Sequence, residues 1–98
     1  MITAIEAQYI ANRYLANLET ELGVTLKLID SETIEKPFGW VFFYNSQKYL
    51  ETGELREMLV GNAPFIVDKS NGEIQETGTA KPIDEYISDI GSKDRKNG

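Results

Sequence analysis

The 98-residue sequence contains neither cysteine nor histidine, and these absences narrow its chemistry. Without histidine it lacks the most common general base, and without both residues it lacks the ligands that most transition metals use in proteins. No disulfide can stabilise the core, and the absence of cysteine does not indicate in which cellular compartment the protein lies. The sequence therefore predicts no catalytic residue, no metal and no cofactor. An enzyme that uses carboxylates alone stays open, but no pair of acids stands out.

Long apolar runs and basic residues are also scarce. No stretch approaches the roughly 20 apolar residues that a transmembrane helix needs, and residues 1–22 lack the apolar core of a signal peptide. A cytoplasmic protein is expected. Sixteen acidic residues against ten basic ones give a formal net charge of -6, which disfavours nucleic-acid binding and favours a basic protein partner. The simpler interpretation is that the charge keeps the protein soluble.

The pattern at the start of the chain predicts an amphipathic helix. Thr3 and Glu6 have the spacing of a capping box, and Gly23 can end the helix. Between them, apolar residues recur at three- and four-residue intervals, as on the buried face of a helix. These residues are Ala7, Ile10, Ala11, Tyr14 and Leu18. The small alanines should let this face approach a sheet closely.

The rest of the chain predicts strands and a second helix. Alternating apolar residues favour a strand at 24–28 with a possible continuation at Ile34, and an aromatic strand at 39–45 is expected to pair with it. Residues 46–60 are interpreted as a loop with a short helix around 55–59. A strand at 65–68, an Asn-Gly hairpin turn and a return strand at 74–79 follow. Residues 82–90 have a helical apolar stripe, and 92–98 form a polar, flexible tail.

We therefore expect a single α+β domain at residues 1–91. An N-terminal helix would pack on an antiparallel sheet of about four strands, and a C-terminal helix would follow.

Six of the ten aromatic residues lie between Phe38 and Tyr49, and both faces of this strand are apolar. A strand with one solvent-exposed face should alternate apolar and polar residues. Because this strand does not, we expect both of its faces to be covered. The N-terminal helix is expected on the face with Trp40, Phe42 and Tyr44, which has the larger apolar area. The opposite face is then left for a partner, the C-terminal helix or a second copy of the chain. Its members are Val41, Phe43, Ile66 and Ile74, with Phe38 and Tyr49 at its ends.

Two loops have both a functional and a structural interpretation. Residues 68–73 partly match a calcium-binding loop, but the required glycine and the final acidic ligand are missing, so a hairpin turn is favoured. Residues 61–64 fit a turn before a strand better than a recognition loop. The candidates for partner contact are the aromatic anchors Phe38, Trp40, Phe43 and Tyr49 and the polar residues Asn62 and Asp68.

Several segments, taken in order, resemble one known family. They include Pro37-Phe38-Gly39-Trp40-Val41-Phe42-Phe43-Tyr44-Asn45-Ser46, Tyr49-Leu50-Glu51-Thr52-Gly53 and Gly61-Asn62-Ala63-Pro64-Phe65-Ile66-Val67-Asp68. With Ile2-Thr3, Ala7, Tyr14-Leu15, Gly72, Thr77-Gly78-Thr79-Ala80 and Tyr86-Ile87, they span residues 1–90. This pattern is similar to the YrhB-domain family, also classed as immunity protein 35 of bacterial polymorphic toxin systems.

The resemblance implies a small non-enzymatic α+β protein of the bacterial cytoplasm. Family members are inferred to bind and neutralise a toxin encoded next to them, often one with a peptidase-like domain, and the family pattern assigns no role to any single residue. Occlusion of the toxin's active site or substrate groove is the expected mechanism. The alternative is a holdase-like housekeeping domain that binds unfolded chains without a dedicated partner. A monomer or a homodimer fits either hypothesis.

Overall fold

The computed structural model describes residues 1–60 and 63–77. Within these ranges the chain forms two α-helices, six short strands and two 3-10 turns. The elements in chain order are α1 (Ala4–Leu22), β1 (Leu26–Leu28), a 3-10 turn (Asp30–Glu32), β2 (Ile34–Lys36), β3 (Gly39–Phe42), β4 (Tyr44–Ser46), α2 (Gln47–Thr52), a second 3-10 turn (Leu55–Glu57), β5 (Phe65–Asp68) and β6 (Ile74–Glu76). The α+β class is confirmed. The predicted helix at 82–90, the tail and Asn62 lie outside the described residues.

Helix α1 begins and ends as predicted. The Glu6 amide donates to the Thr3 hydroxyl oxygen at 3.2 Å, and the Thr3 amide donates to the Glu6 carboxylate at 3.1 Å. These two bonds form the capping box, and Gly23 ends the helix in the left-handed conformation (φ 73°). Ala7 and Ala11 are completely buried. The predicted stripe is therefore the face that packs on the sheet.

The strands form two antiparallel sheets, one with the order β1-β4 and one with the order β2-β3-β5-β6. The Ile29 amide donates a hydrogen bond to the Phe43 carbonyl at 2.8 Å. This bond joins the two chain segments at the point where one sheet ends and the other begins. Residues 29–33 lie opposite residues 42–43, because Leu28 pairs with Tyr44 and Ile34 with Val41. This mismatch resembles a large bulge.

The prediction of one aromatic strand over 39–45 is therefore wrong, since the strand divides at Phe43. The 3-10 turn on the neighbouring segment is the cause, because it interrupts the ladder between β1 and β2. The predicted pairing with the preceding strands is confirmed. Segment β4 pairs with β1, and segment β3 pairs with β2.

The core lies between α1 and one face of the sheets. Trp40 and Phe42 on β3 face the helix, as predicted, beside Phe65 and Val67 on β5. The ring of Phe65 lies 4.4 Å from that of Tyr14, centroid to centroid. Each such buried side chain contributes roughly 1.5–3 kcal/mol to folding. Leu15, Leu26 and Leu28 complete this cluster, with Tyr44 and Ile74 packed against it.

The hairpin between β5 and β6 corrects one assignment. Ile74 pairs with Val67 and packs against the α1 side of the sheet, so placing it on the Val41 face is wrong. The turn residues 69–73 set this register, since the Asp68 amide donates to the Glu73 carbonyl at 2.9 Å. Ile66 does share the other face with Val41, as predicted. The return strand ends at Glu76, and the predicted residues 78 and 79 lie outside the described part of the chain.

The predicted helix around residues 55–59 is also misplaced. The helix is α2, which begins directly after Ser46, whose hydroxyl accepts the Tyr49 amide at 3.3 Å. Gly53 ends it in the left-handed conformation (φ 73°). Part of the segment interpreted as a loop is thus helical, and Thr52 is the last residue of this helix. Residues 55–57 form only a 3-10 turn.

Candidate partner-binding surface

A groove of about 390 Å³ opens between the first turns of α1 and the 3-10 turn after β1. We call it the α1 groove, and it is lined by Ala4, Gln8, Asp30, Thr33, Trp40 and Phe42. The two aromatic side chains are buried and form its floor, whereas Ala4, Gln8 and Asp30 are exposed at its rim. The groove therefore joins an apolar floor to a polar edge.

A second cavity of about 250 Å³, the turn cavity, lies at the β2–β3 turn. It is lined by Met1, Pro37, Phe38, Asp68, Lys69 and Ser70. Lys69 connects it to the α1 groove, because its Nζ atom lies 4.8 Å from the centre of the Trp40 ring. The same atom donates to Glu35 Oε2 at 3.0 Å. The contact between the Lys69 cation and the Trp40 ring thus lies between the two cavities.

Trp40 has a structural role as well as a place in the groove. Only 5% of its surface is exposed, and it packs with the α1 core. A partner that reached it would contact the floor of the groove rather than a protruding anchor. The expectation that α1 covers the face with Trp40 agrees with this burial.

Phe38 and Asp68, two of the predicted contact residues, meet at the turn cavity. Phe38 is half-buried, and its carbonyl accepts the Lys69 amide at 2.8 Å. The Asp68 carboxylate accepts hydrogen bonds from both the amide and the hydroxyl of Ser70. It therefore also shapes the hairpin turn, which explains its position without a ligand.

Phe43 and Tyr49 lie away from the turn cavity. Phe43 stands between β3 and β4, and Tyr49 lies in α2; both are half-buried. A strand rises about 3.3 Å per residue, so the backbone of Phe43 is on the order of 15 Å from that of Phe38. Among the candidates that the structure describes, Phe43 and Tyr49 therefore lie apart from Phe38 and Asp68. The structure does not gather them into one patch.

The sheet face that carries Val41 is not open to a partner at its centre. Val41 and Ile66 have no exposed surface. The sequence left this face to a partner, to the C-terminal helix or to a second copy of the chain, and these two residues keep no surface for a partner. The predicted helix at 82–90 lies outside the described residues. Phe43 keeps partial exposure, as does Ile34, which pairs with Val41.

Sequence reasoning missed the rim of the α1 groove. Neither Asp30 nor Gln8 is among the contact residues that the sequence predicts. The Gln8 side-chain amide donates to the Asp30 carboxylate at 3.5 Å, across 22 positions of sequence. Such a contact depends on how the helix crosses the sheet, so no local signal reveals it.

Exposed apolar residues border the groove on α1. Ile5 is 82% exposed and Tyr9 62% exposed, and their four-residue spacing places them side by side on the helix. Ile5 also adjoins Ala4 and precedes Gln8 by three positions, so it lies next to the rim. Arg13 donates to the Tyr9 hydroxyl at 3.4 Å. We call Ile5 and Tyr9 the α1 ridge.

The opposite side of α1 carries a tyrosine–carboxylate contact. Burial raises the pKa of Tyr14, and the Glu76 carboxylate, which accepts its hydroxyl at 3.0 Å, raises this pKa further. Burial also raises the pKa of Tyr44, with a smaller contribution from Glu76. Both phenols are therefore kept neutral. This arrangement stabilises the fold and supplies no nucleophile.

Other kinds of site are not found in the described ranges. Residues 1–60 and 63–77 contain no cluster of acidic side chains arranged to hold a metal ion. Neither helix in this part of the chain has the length and apolar character to cross a membrane. Within the described residues, the surface around the two cavities is the candidate for partner contact.

Comparison with known proteins identifies the family. The model of the family described as immunity protein 35 matches residues 5–89. An Escherichia coli K12 relative, called uncharacterized protein YrhB, is 43% identical over 89 residues, which cover 91% of this chain and 88% of the relative. No solved structure gives a significant match. The chain belongs to the immunity protein 35 family.

Proposed function

We propose that this chain is a non-enzymatic immunity protein that binds a cognate bacterial protein toxin and neutralises it. Membership of the immunity protein 35 family is the observation that carries the proposal. The composition agrees with it, because a chain without histidine and cysteine is poorly equipped for catalysis. A stoichiometric inhibitor needs only a preformed surface.

The proposed mechanism is occlusion. In the bacterial cytoplasm, the chain would cover the toxin's active site or substrate groove. The end of the sheet where the α1 groove and the turn cavity flank Trp40 is the proposed contact surface. It combines concave shape with exposed apolar side chains on the α1 ridge. Aromatic residues and complementary shape are typical of such interfaces.

Phe38 and Asp68 are the predicted contact residues within this surface, and Trp40 is its floor. Phe43 and Tyr49 are a second proposed contact at the far end of the strand. Asn62 remains a proposed polar contact from the sequence alone. Alanine substitution of Phe38 and of Phe43, compared at equal folded concentration, separates the two regions.

Co-expression with the toxin encoded next to this chain tests the function. Growth should be restored only when both proteins are present, and a complex should elute as one peak in size-exclusion chromatography. Neither protection nor a complex would contradict the proposal. If the chain instead suppresses aggregation of several unrelated proteins, the holdase-like alternative replaces it.

A further inference from the structure

The α1 groove places a carboxylate beside an aromatic floor, a combination that suits one kind of side chain. Trp40 and Phe42 supply buried rings, and Asp30 supplies an exposed carboxylate at the rim. We propose that the groove receives a lysine or arginine side chain of the toxin. This inference rests on the proposed function and names the chemistry of the partner residue.

Within its own structure, the chain already holds a cation next to both an aromatic ring and a carboxylate. Lys69 lies with its Nζ atom 4.8 Å from the centre of the Trp40 ring and 3.0 Å from a Glu35 carboxylate oxygen. An aromatic ring attracts a cation through its quadrupole, and the carboxylate holds the cation in place. A basic side chain from the toxin would find the same two chemical groups in the groove, because Asp30 and the two aromatic rings line it together.

The Asp30 carboxylate is available for such a contact. It accepts one long hydrogen bond, 3.5 Å, from the neutral Gln8 amide. In the described ranges no lysine or arginine forms an ion pair with Asp30, and Lys69 is already paired with Glu35. Lys36 lies on the other face of the sheet, because it adjoins Glu35 on the same strand. Among the described residues that line the groove, Asp30 is therefore the one charged side chain, and it is negative.

The size and surroundings of the groove also fit a side chain. Its volume of about 390 Å³ lies near the lower end of the range for sites that hold small ligands, roughly 300–1,000 Å³. The aliphatic stem of a lysine or arginine can lie over Trp40 and Phe42 while its charged end stays at the rim. Ile5 and Tyr9 can then contact apolar atoms of the toxin around the inserted side chain. The negative charge of the whole chain would also speed encounter with a basic surface.

The one tryptophan of the chain allows a direct test. Full-length protein labelled with 5-fluorotryptophan gives a single fluorine resonance from Trp40, which stays visible even if the toxin contains tryptophan. Addition of unlabelled toxin should shift this resonance as the complex forms. A complex with an unmoved resonance would overturn the groove proposal and leave the immunity function intact. Absence of any complex would instead remove the proposed function, and this inference with it.

Matched variants extend the test to the charge. Asp30→Asn keeps the shape of the side chain and should weaken toxin binding about tenfold or more, as expected for loss of a charged hydrogen-bond partner. Glu21→Gln removes the same charge at an exposed position in the last turn of α1, far from the groove at the first turns of this helix, and should change the affinity less than twofold. Equal effects of the two substitutions, or no effect of Asp30→Asn, would contradict a specific contact in the groove.

A third variant obstructs the groove and leaves the core intact. Ala4 is exposed at its rim, so Ala4→Leu should narrow the entrance and weaken binding, whereas Ala16→Leu, at an exposed position further along the same helix, should not. Circular dichroism confirms that both variants fold. Unchanged binding by Ala4→Leu would show that nothing enters the groove.

Discussion

Gly39 offers the sharpest test of how the sheet is packed. A Cβ atom added at this position would lie 2.2 Å from the Val67 carbonyl oxygen and 3.1 Å from the carbonyl carbon. Both atoms belong to the backbone of β5, the strand that pairs with β3. No side-chain rotation can relieve this contact, so Gly39→Ala must push two central strands apart.

The expected cost is about 3 kcal/mol, at the upper end of the usual range for overpacking, because backbone rather than side chain has to move. A domain of this size loses roughly 4–8 °C of melting temperature per kcal/mol, so the midpoint should fall by about 12–24 °C. Urea and thermal unfolding, followed by far-ultraviolet circular dichroism and by Trp40 fluorescence, measure this change.

Gly23→Ala is the matched control. An added Cβ atom at Gly23 meets nothing within 4 Å. The cost of the substitution therefore comes only from the left-handed backbone conformation at this residue (φ 73°). The expected cost is about 1–2 kcal/mol. A Gly39→Ala protein that is as stable as wild type, or more stable than Gly23→Ala, would refute the close approach of β3 and β5.

Three further predictions concern the helices, the tyrosines and the hairpin. Ser46→Ala removes the cap of α2 and should lower the free energy of unfolding by about 1 kcal/mol, whereas Ser31→Ala at an exposed position should change it by less than 0.5 kcal/mol; urea unfolding compares them. The pKa of Tyr14 is raised in the folded state, so the unfolded state loses this proton first and stability should fall as the pH rises above about 10. Tyr14→Phe should flatten this fall, and an unchanged slope in alkaline unfolding curves would contradict it. Asp68→Ala loses both hydrogen bonds from Ser70 and should destabilise the β5–β6 hairpin by about 1 kcal/mol. Amide hydrogen exchange in the turn should become faster. Exchange as slow as in wild type would show that the carboxylate does not hold the turn.

Local signals explain which parts of the fold could be predicted from the sequence. Helix α1 has its capping box, its alanine stripe and its terminal glycine within the segment itself. Helix α2 has only six residues, too few for an apolar period to appear, and its one clear signal is the capping Ser46. The division of the aromatic strand at Phe43 depends on the 3-10 turn in the neighbouring strand, so it is a property of the pairing.

The candidate site was harder to predict than the fold for the same reason. Phe38 and Asp68 were selected for their residue types, and the pairing of β3 with β5 brings them to one cavity. Asp30 and Gln8 meet only because α1 crosses the sheet near the 3-10 turn. The cover of the Val41 face was left open, because a pattern of apolar residues does not tell a face that the chain itself buries from one that a partner covers.

The central claim is that this chain inhibits a toxin by binding it stoichiometrically. Titration of the purified toxin with the purified chain, with toxin activity measured at each step at concentrations well above the dissociation constant, tests it most directly. Activity should fall in a straight line and reach its minimum at a fixed molar ratio, as a stoichiometric inhibitor requires. Full toxin activity in the presence of excess folded chain would contradict the account.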